Sequence, residues 1–337
     1  MSKITFFAFT VAITLALPGF AWASPAEELR AAVARAEEYR GNANDFDAAS
    51  YFPSEWAAAE AGFAEAGLLP TGSDSEINRA VAAFTEAADS FASMFRLSVS
   101  LYAQAREDEI MMIRDGLVAA GARAVFPGLI GPADRTALAA FDKYEAGDYR
   151  SARDSAAQAY TMFRILETTF NAWQIRQEIT RRGFMDHALD NYERAEVLIE
   201  YAMLAYLAEE FSVALENAIE AQARYTLVLT SGWAALAESY SALAKAERLA
   251  ALEVRANVAA RELFEEADLL HSTAIDSLRM EYYRKAAEMF ADAEALYFVA
   301  RISTMERRRI AAEAILEANR QIEEAIRSAQ EAELNTN

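Results

Sequence analysis

Few residues of this chain have types and spacings that could perform chemistry. The 337-residue sequence contains two histidines, His187 and His271, and no cysteine. Asp268 and His271 lie three residues apart, as the carboxylate and histidine do in the metal sites of di-iron helical bundles. Such a site also needs a second Glu-x-x-His segment and further glutamates, and the sequence has no second segment of this kind. We therefore predict no metal site here and interpret His271 as an ordinary surface or boundary residue.

An oxygen-rich stretch between residues 42 and 52 is the other candidate for metal binding. Its polar residues resemble a calcium loop in oxygen content only, because the glycine of the sharp turn and the distal glutamate of an EF-hand are missing. We expect this stretch to be a loop without bound calcium. The residues concerned are Asn42, Asn44, Asp45 and Asp47.

Recognisable catalytic motifs are absent from the sequence. There is no cysteine nucleophile, no glycine-rich phosphate loop, no His-Glu-x-x-His and no Gly-x-Ser-x-Gly. Adjacent carboxylates such as Glu107 and Asp108, or Glu265 and Glu266, are typical of solvated helix faces. We predict that the chain is not an enzyme, and the sequence assigns no catalytic, cofactor-binding or metal-binding residue.

The composition limits the classes of partner. The formal net charge is −20 at pH 7, and such a field repels phosphate backbones and anionic lipids. We expect no nucleic acid partner, whereas a protein with a basic face or a divalent cation is easier to accommodate. Hydrophobic residues make up 54% of the chain, so burial can supply the stability that disulfides cannot provide here.

One pattern of small and aromatic residues occurs four times and predicts the elements of the fold. At about 100° of rotation per residue, offsets of 0, 4, 7 and 11 fall within roughly 60°, so each set forms one narrow stripe on a helix. Each stripe needs a partner helix. The four sets are Ala80, Phe84, Ala87 and Phe91; Ala152, Ala156, Ala159 and Phe163; Ala214, Ala218, Ala221 and Tyr225; and Ala286, Phe290, Ala293 and Tyr297.

The stripes recur at intervals of 72, 62 and 72 residues, which is typical of a helical repeat array. We predict an all-α fold with repeat-like units at about 54–120, 133–183, 185–256 and 257–335, including some long helices. Two prolines and three glycines between 121 and 132 predict a clear break. After Gly232 there is neither Gly nor Pro, so polar residues such as Ser272 and Thr273 are expected to mark the breaks.

The alternation of small and large residues resembles the packing pattern of tetratricopeptide (TPR) repeats. The resemblance rests on the stripe spacing and on turns such as Glu145-Ala146-Gly147-Asp148-Tyr149, although the 72-residue interval is about twice the usual 34. The segment from Tyr51 to Ala59 also resembles Ala-rich helical repeats of bacterial envelope proteins. TPR resemblance implies an array of antiparallel helical hairpins, an α-solenoid, with a concave protein-binding groove and no catalysis.

The first 23 residues resemble a cleavable secretory signal. Lys3 provides a positive n-region, Ile4 to Leu17 form an apolar stretch of 14 residues, and Ala21-Trp22-Ala23 supplies small residues for a signal peptidase. We expect cleavage between Ala23 and Ser24 and a mature domain over 24–337, periplasmic or secreted. An uncleaved anchor is the alternative, but the stretch is shorter than the 18 or so residues that span a bilayer.

Two further stretches are candidates for binding. Glu306-Arg307-Arg308-Arg309 is a basic cluster in an acidic chain, and it could contact an acidic partner or a second copy. The alternative is that these arginines pair with Glu313 and Glu317 one turn away. The loop from Phe126 to Pro132 is apolar for a connection, which predicts either burial within the chain or a contact edge.

The function that these observations favour is that of an exported, non-enzymatic scaffold or adaptor in the cell envelope, with a protein partner bound by the helical array. Self-association is left open. The alternative is a soluble periplasmic carrier or transport-accessory protein, in which aromatics such as Phe84, Phe163 and Phe290 would line a cavity for an apolar ligand instead of a packed core.

Overall fold

A computed structural model describes residues 24–334, with side chains described as far as residue 331. The predicted signal sequence therefore lies outside the described residues. Within that range the chain is all-helical, with twelve α-helices, one 3₁₀ turn at Met185–Ala188 and no strand. The helices are α1 Pro25–Asn44, α2 Ala48–Tyr51, α3 Pro53–Gly67, α4 Asp74–Ala119, α5 Ala122–Val125, α6 Ile130–Glu145, α7 Tyr149–Arg182, α8 Leu189–Leu207, α9 Phe211–Glu253, α10 Ala256–Ala259, α11 Arg261–Arg279 and α12 Tyr283–Leu334.

The described chain divides into two compact units. The first unit comprises Arg135–Tyr160 and the described residues up to Met112, and the second comprises Ile113–Asp134 and the described residues from Thr161 onward. In the second unit α9 packs against α8 and α12, and α11 packs against α12. None of the described helices is both long enough and apolar enough to span a bilayer.

The predicted stripes form the centre of the core. Of their sixteen residues only Ala156 is not fully buried, so the prediction that each stripe is covered is confirmed. In the first unit Phe63 from α3 meets Phe84 edge to face with ring centroids 5.3 Å apart, and Trp56 meets Phe91 at 5.2 Å. Alanines allow helix axes to approach closely, and the aromatic rings fill the remaining space.

Side-chain caps mark the starts of α1 and α4. The Ser24 hydroxyl accepts a hydrogen bond from the Glu27 amide while the Glu27 carboxylate accepts one from the Ser24 amide, and Pro25 occupies the first turn. Before α4, the Ser73 hydroxyl accepts a hydrogen bond from the Glu76 amide at 3.4 Å.

Left-handed residues terminate the helices, and several of them are not glycine. Two regularly spaced sets of residues have positive φ angles. The first set is Asp47, Gly121, Gly183 and Arg255, and the second set is Gly147, Glu209 and Glu281. The first set recurs at intervals of 74, 62 and 72 residues, and the second at 62 and 72. Each residue of these two sets lies between two helical segments, so equivalent turns use glycine in some places and a charged residue in others.

This use of charged residues explains where the predicted boundaries are wrong. Ser272 and Thr273 do not break a helix, because both lie inside α11 and their hydroxyls donate to the Leu269 carbonyl at 2.9 Å. The breaks are made by Arg255 and Glu281. The stretch predicted as a loop at 42–52 is also partly helical, since it contains the end of α1 and all of α2.

A close approach at Gly232 fixes the packing of α9. Phe184 follows left-handed Gly183, is buried, and lies edge-on to the Trp233 ring at 5.6 Å. The Arg182 guanidinium covers the same Trp233 ring at 4.1 Å from its centroid. A Cβ atom on Gly232 would lie 2.2 Å from Cγ of Phe184, so only glycine leaves room for this ring.

Gly232→Ala should therefore destabilise the protein by about 2–3 kcal/mol, because the added methyl group displaces a buried ring. The matched control is Gly116→Ala in α4, where a Cβ meets nothing within 4 Å. That substitution should stabilise by about 0.5–1 kcal/mol through helix propensity. Urea unfolding of both variants checks the pair, and equal effects would contradict the close approach.

Arg255→Gly and Glu281→Gly should each stabilise the fold by about 0.5–1 kcal/mol, because glycine relieves the left-handed backbone strain of the charged residue. Arg255→Ala and Glu281→Ala are the controls, since they remove the same side chains and keep the strain. Thermal and urea unfolding should rank each glycine variant above its alanine counterpart. The opposite order would show that these turns are not strained.

Candidate partner-docking face

The residues singled out for chemistry are placed in the structure as packing residues. The imidazole of His271 lies against the rings of Phe290 and Tyr297, with centroid distances of 5.4 and 6.3 Å. Its Nε2 is buried, with no hydrogen-bond partner among the described residues. Across the described chain no three His, Cys, Asp or Glu side chains are grouped so that they could hold a metal ion.

Asp268, the predicted neighbour of His271, belongs to an ion pair. Arg248 donates from Nε to Oδ1 of Asp268 at 2.7 Å, and the Tyr297 hydroxyl donates to the same oxygen at 2.5 Å. Burial raises the pKa of Asp268, but these two donors outweigh it and the net pKa is lowered. Burial and the Arg248 charge together lower the pKa of His271 against the opposing effect of Asp268.

The same type of ion pair occurs four times, always between residues 20 apart. The pairs are Arg40–Glu60, Arg114–Asp134, Arg176–Glu196 and Arg248–Asp268. Successive arginines are separated by 74, 62 and 72 residues. Each pair joins the end of one helix to the helix that follows the turn, so its role is structural. We call these four ion pairs the clamps.

The last two clamps include a third partner from a stripe. The Tyr225 hydroxyl donates to Oε1 of Glu196 at 2.6 Å, as Tyr297 does to Asp268. Burial, followed by these hydrogen bonds, raises the pKa of both tyrosines. The first two stripes end in Phe91 and Phe163, which have no hydroxyl to donate.

The surface feature that stands out is a line of large apolar residues on α8. Val197, Tyr201 and Leu204 recur at one-turn spacing, Leu207 follows at the end of the helix, and they are 40%, 55%, 56% and 65% exposed. We call these four residues the α8 face. The opposite side of α8 is buried against the core through residues such as Ala195, Leu198 and Ala202.

Helix α11, which occupies a comparable place before α12, lacks a line of this kind. Both helices are 19 residues long, and both pack against the long helix that follows them. The outward side of α11 is mostly polar, with Leu269 as its one exposed large apolar residue before the last turn. Its other exposed residues, apart from Arg279 at the end, are Arg261, Glu262, Glu265, Glu266, Ser272 and Asp276.

Charges around the α8 face are mainly acidic. Glu193, Glu200, Glu209 and Glu210 are exposed on or just beyond α8, with Arg194 as a basic neighbour. Exposed apolar surface with a polar rim is typical of protein interaction sites. A partner that matches it has apolar anchors flanked by basic side chains.

Sequence reasoning missed the α8 face. A signal was present, since α8 carries an apolar line at Val197, Tyr201 and Leu204 in addition to the buried line at Ala195, Leu198 and Ala202. A helix that is apolar on two sides either lies in the core or has a second partner. Burial alone distinguishes these two cases.

The two stretches predicted as candidates for binding are largely occupied within the chain. Arg309 pairs with Glu306 at 2.6 Å and with Glu313 at 2.5 Å, which confirms the predicted pairing with Glu313, whereas Glu317 pairs with Arg320. Arg307 donates to the carbonyl of Ala259.

The loop from Phe126 to Pro132 is held against its own unit. The ring of Phe126 lies edge-on to Phe170 at 6.2 Å, and the Tyr206 hydroxyl donates to the Leu129 carbonyl at 2.9 Å. Ile130 is buried. Of the two predicted alternatives for this loop, the structure therefore shows burial within the chain.

The depressed pKa of His271 predicts a loss of stability at mildly acidic pH. Below about pH 6.5 the unfolded chain binds a proton on this histidine, while the half-buried ring of the folded chain, with its Nε2 buried, resists protonation. Stability is therefore complete above about pH 6.5 and falls as the pH decreases through that value. Urea unfolding between pH 7 and 5 should show a steeper loss for the natural protein than for His271→Gln. Parallel pH profiles would contradict this account.

Comparison with known proteins adds no relative to these observations. The chain matches no family model, no curated protein and no solved structure. Functional assignment therefore rests on the residues described above: four clamps that hold the helices, a histidine without a ligand set, and the exposed α8 face.

Proposed function

We propose that this protein is an exported, non-enzymatic scaffold of the cell envelope that binds a protein partner through the α8 face. The single observation that carries the proposal is the exposure of Val197, Tyr201 and Leu204 on a helix that already buries its other side. Burying one large apolar side chain stabilises a complex by about 1.5–3 kcal/mol before the costs of association. Three such anchors on one helix are enough to specify a site.

The architecture that we propose is an array of antiparallel helical hairpins, as in TPR-like solenoids. Recurrence at three levels supports it: the buried stripes, the clamps and the left-handed turns all repeat at intervals close to 72, 62 and 72 residues. The 62-residue interval is shorter than the other two because one long helix is shorter. From the first stripe alanine to the next clamp arginine there are 34 residues in α4 and α9 but only 24 in α7, which makes α7 about 15 Å shorter over this stretch.

The partner that fits is a helix or loop with apolar anchors and basic flanks. The acidic rim of the α8 face and the net charge of −20 both favour a basic partner, and they increase its rate of association at low salt. Helix-in-groove recognition uses anchors at the same one-turn spacing as the α8 face. Export is part of the proposal on the basis of the pattern in residues 1–23.

Packing of the aromatic side chains supports a scaffold over a carrier of an apolar ligand. Phe84, Phe163 and Phe290 are all buried. Phe84 packs with alanines of α1, α3 and α4, and Phe290 packs with alanines of α12 and the His271 ring. These rings occupy the space between helices that a ligand cavity would require.

The experiment is a capture of partners from envelope extract with the chain from Ser24 to Asn337, followed by a binding measurement with the purified partner. Tyr201→Ser combined with Leu204→Ser should weaken that binding at least tenfold, because two anchors are lost. The matched control is Ile219→Ser with Leu227→Ser, two residues of α9 with similar exposure. A bound lipid or metabolite without a protein partner, or equal losses in both double variants, would overturn the proposal.

A further inference from the structure

Beyond the hydrogen bond from Arg307 to the Ala259 carbonyl, the C-terminal part of α12 has no partner in the described chain. Thr304 is the last buried residue, and every residue from 305 to 331 is exposed. Beyond Met305 the large apolar side chains of this segment, Ile310, Ile315, Leu316, Ile322 and Ile326, are 53–68% exposed. A helix of this length extends for about 40 Å. A single helix with five such residues in water is expected to have a partner.

The residues of this segment follow a seven-residue pattern. Ile315, Ile322 and Ala329 occupy one core position of the heptad, and Ala311, Ala318 and Ala325 occupy the other. The positions beside the core are uncharged as well: Ala312, Ala314, Asn319, Gln321, Ile326 and Ser328. From 311 to 331 every charged residue lies on the other side of the helix. We call this uncharged side the α12 seam.

The α12 seam is not the face that the long helices use within the chain. In α9 the buried residues beyond Trp233 include Ala237, Ala244 and Ala251. Their counterparts 72 residues later are Arg309, Leu316 and Glu323, two of which are charged. The seam is turned away from these positions, so its partner is not another helix packed as α12 packs on α9.

We propose that the α12 seam pairs antiparallel with the same segment of a second copy of this chain. In antiparallel pairs the two kinds of core position face each other, so a two-fold axis beside Arg320 places Ile315 opposite Ala325 and Ile322 opposite Ala318. Each large side chain then meets a small one, which gives even packing. Parallel pairing would place isoleucine on isoleucine and alanine on alanine.

The length of the exposed segment agrees with this pairing. With the axis beside Arg320, residue 309 lies opposite residue 331, so the paired region is 309–331, entirely within the exposed segment that begins at 305. This gives about three heptads, which is the length at which a two-helix pair becomes recognisable. A two-fold pair of this kind is closed and makes a dimer.

Charge argues against an anionic membrane as the occupant. The polar side of the segment from 311 to 331 contains Glu313, Glu317, Glu323, Glu324 and Glu331 against Arg320 and Arg327. Helices that lie on anionic lipid carry mainly Lys and Arg on their polar side. A second copy brings its own uncharged seam and leaves these glutamates in water.

Sedimentation of the chain from Ser24 to Asn337 over a range of concentrations tests the pairing. A reversible dimer is expected, and Ile315→Ser with Ile322→Ser should weaken it at least tenfold. Leu316→Ser is the matched control, because Leu316 is similarly exposed but lies off the seam. A monomer at all concentrations up to about 100 μM, or an equal loss in the control, would overturn the proposal. Binding of the monomer to phosphatidylserine vesicles would do the same.

Disulfide trapping tests whether the two helices pair antiparallel or parallel. The natural chain has no cysteine, so only the introduced cysteines can form a disulfide. Antiparallel pairing places residue 311 opposite residue 329, whereas parallel pairing separates them by about 27 Å. Mixing Ala311→Cys with Ala329→Cys should therefore give a mixed disulfide dimer on mild oxidation, and each variant alone should not. Efficient linkage of Ala311→Cys to itself would show parallel pairing and overturn the proposal. The α8 variants leave this result unchanged, so the two proposals fail separately.

Discussion

Close approach of alanine-lined helices is the constraint on which the rest of the structure depends. The fifteen buried alanines and aromatics of the stripes could be exchanged for larger residues only by moving a helix axis, because protein interiors have few voids. The Gly232 and Phe184 contact is the extreme case, since not even a methyl group fits. This tight packing supplies the stability that a chain without cysteine must obtain from burial.

Polar groups in this fold act by fixing how successive helices meet. Each of the four clamps joins two residues 20 apart across a turn, so it stabilises one angle between a helix end and the next helix. Their side chains are only partly buried, which lowers the desolvation cost and keeps their contribution modest. A clamp of this kind specifies geometry more than it adds stability. The Tyr225 and Tyr297 hydroxyls strengthen the last two clamps, because each donates a further hydrogen bond to the carboxylate of its clamp.

The two surfaces proposed for binding differ in kind. The α8 face is a short line of anchors on a helix fixed by its buried side, which suits a partner that brings its own complementary helix or loop. The α12 seam is a long uncharged side of a helical segment in which every residue from 305 to 331 is exposed, which suits a partner of equal length. Both proposals rest on exposed apolar side chains. The first concerns recognition of another protein, and the second concerns self-association.

The sequence by itself determined the helical class and the four buried stripes, because these depend on local periodicity and residue type. It also predicted the pairing of Arg309 with Glu313, which needs only one helical turn. The tertiary structure decided the turns at Arg255 and Glu281, since a left-handed charged residue has no compositional signature. It alone distinguished the α8 face from a core stripe: the two apolar lines of α8 are alike in sequence, and only the packing of α9 against one of them leaves Val197, Tyr201 and Leu204 in water.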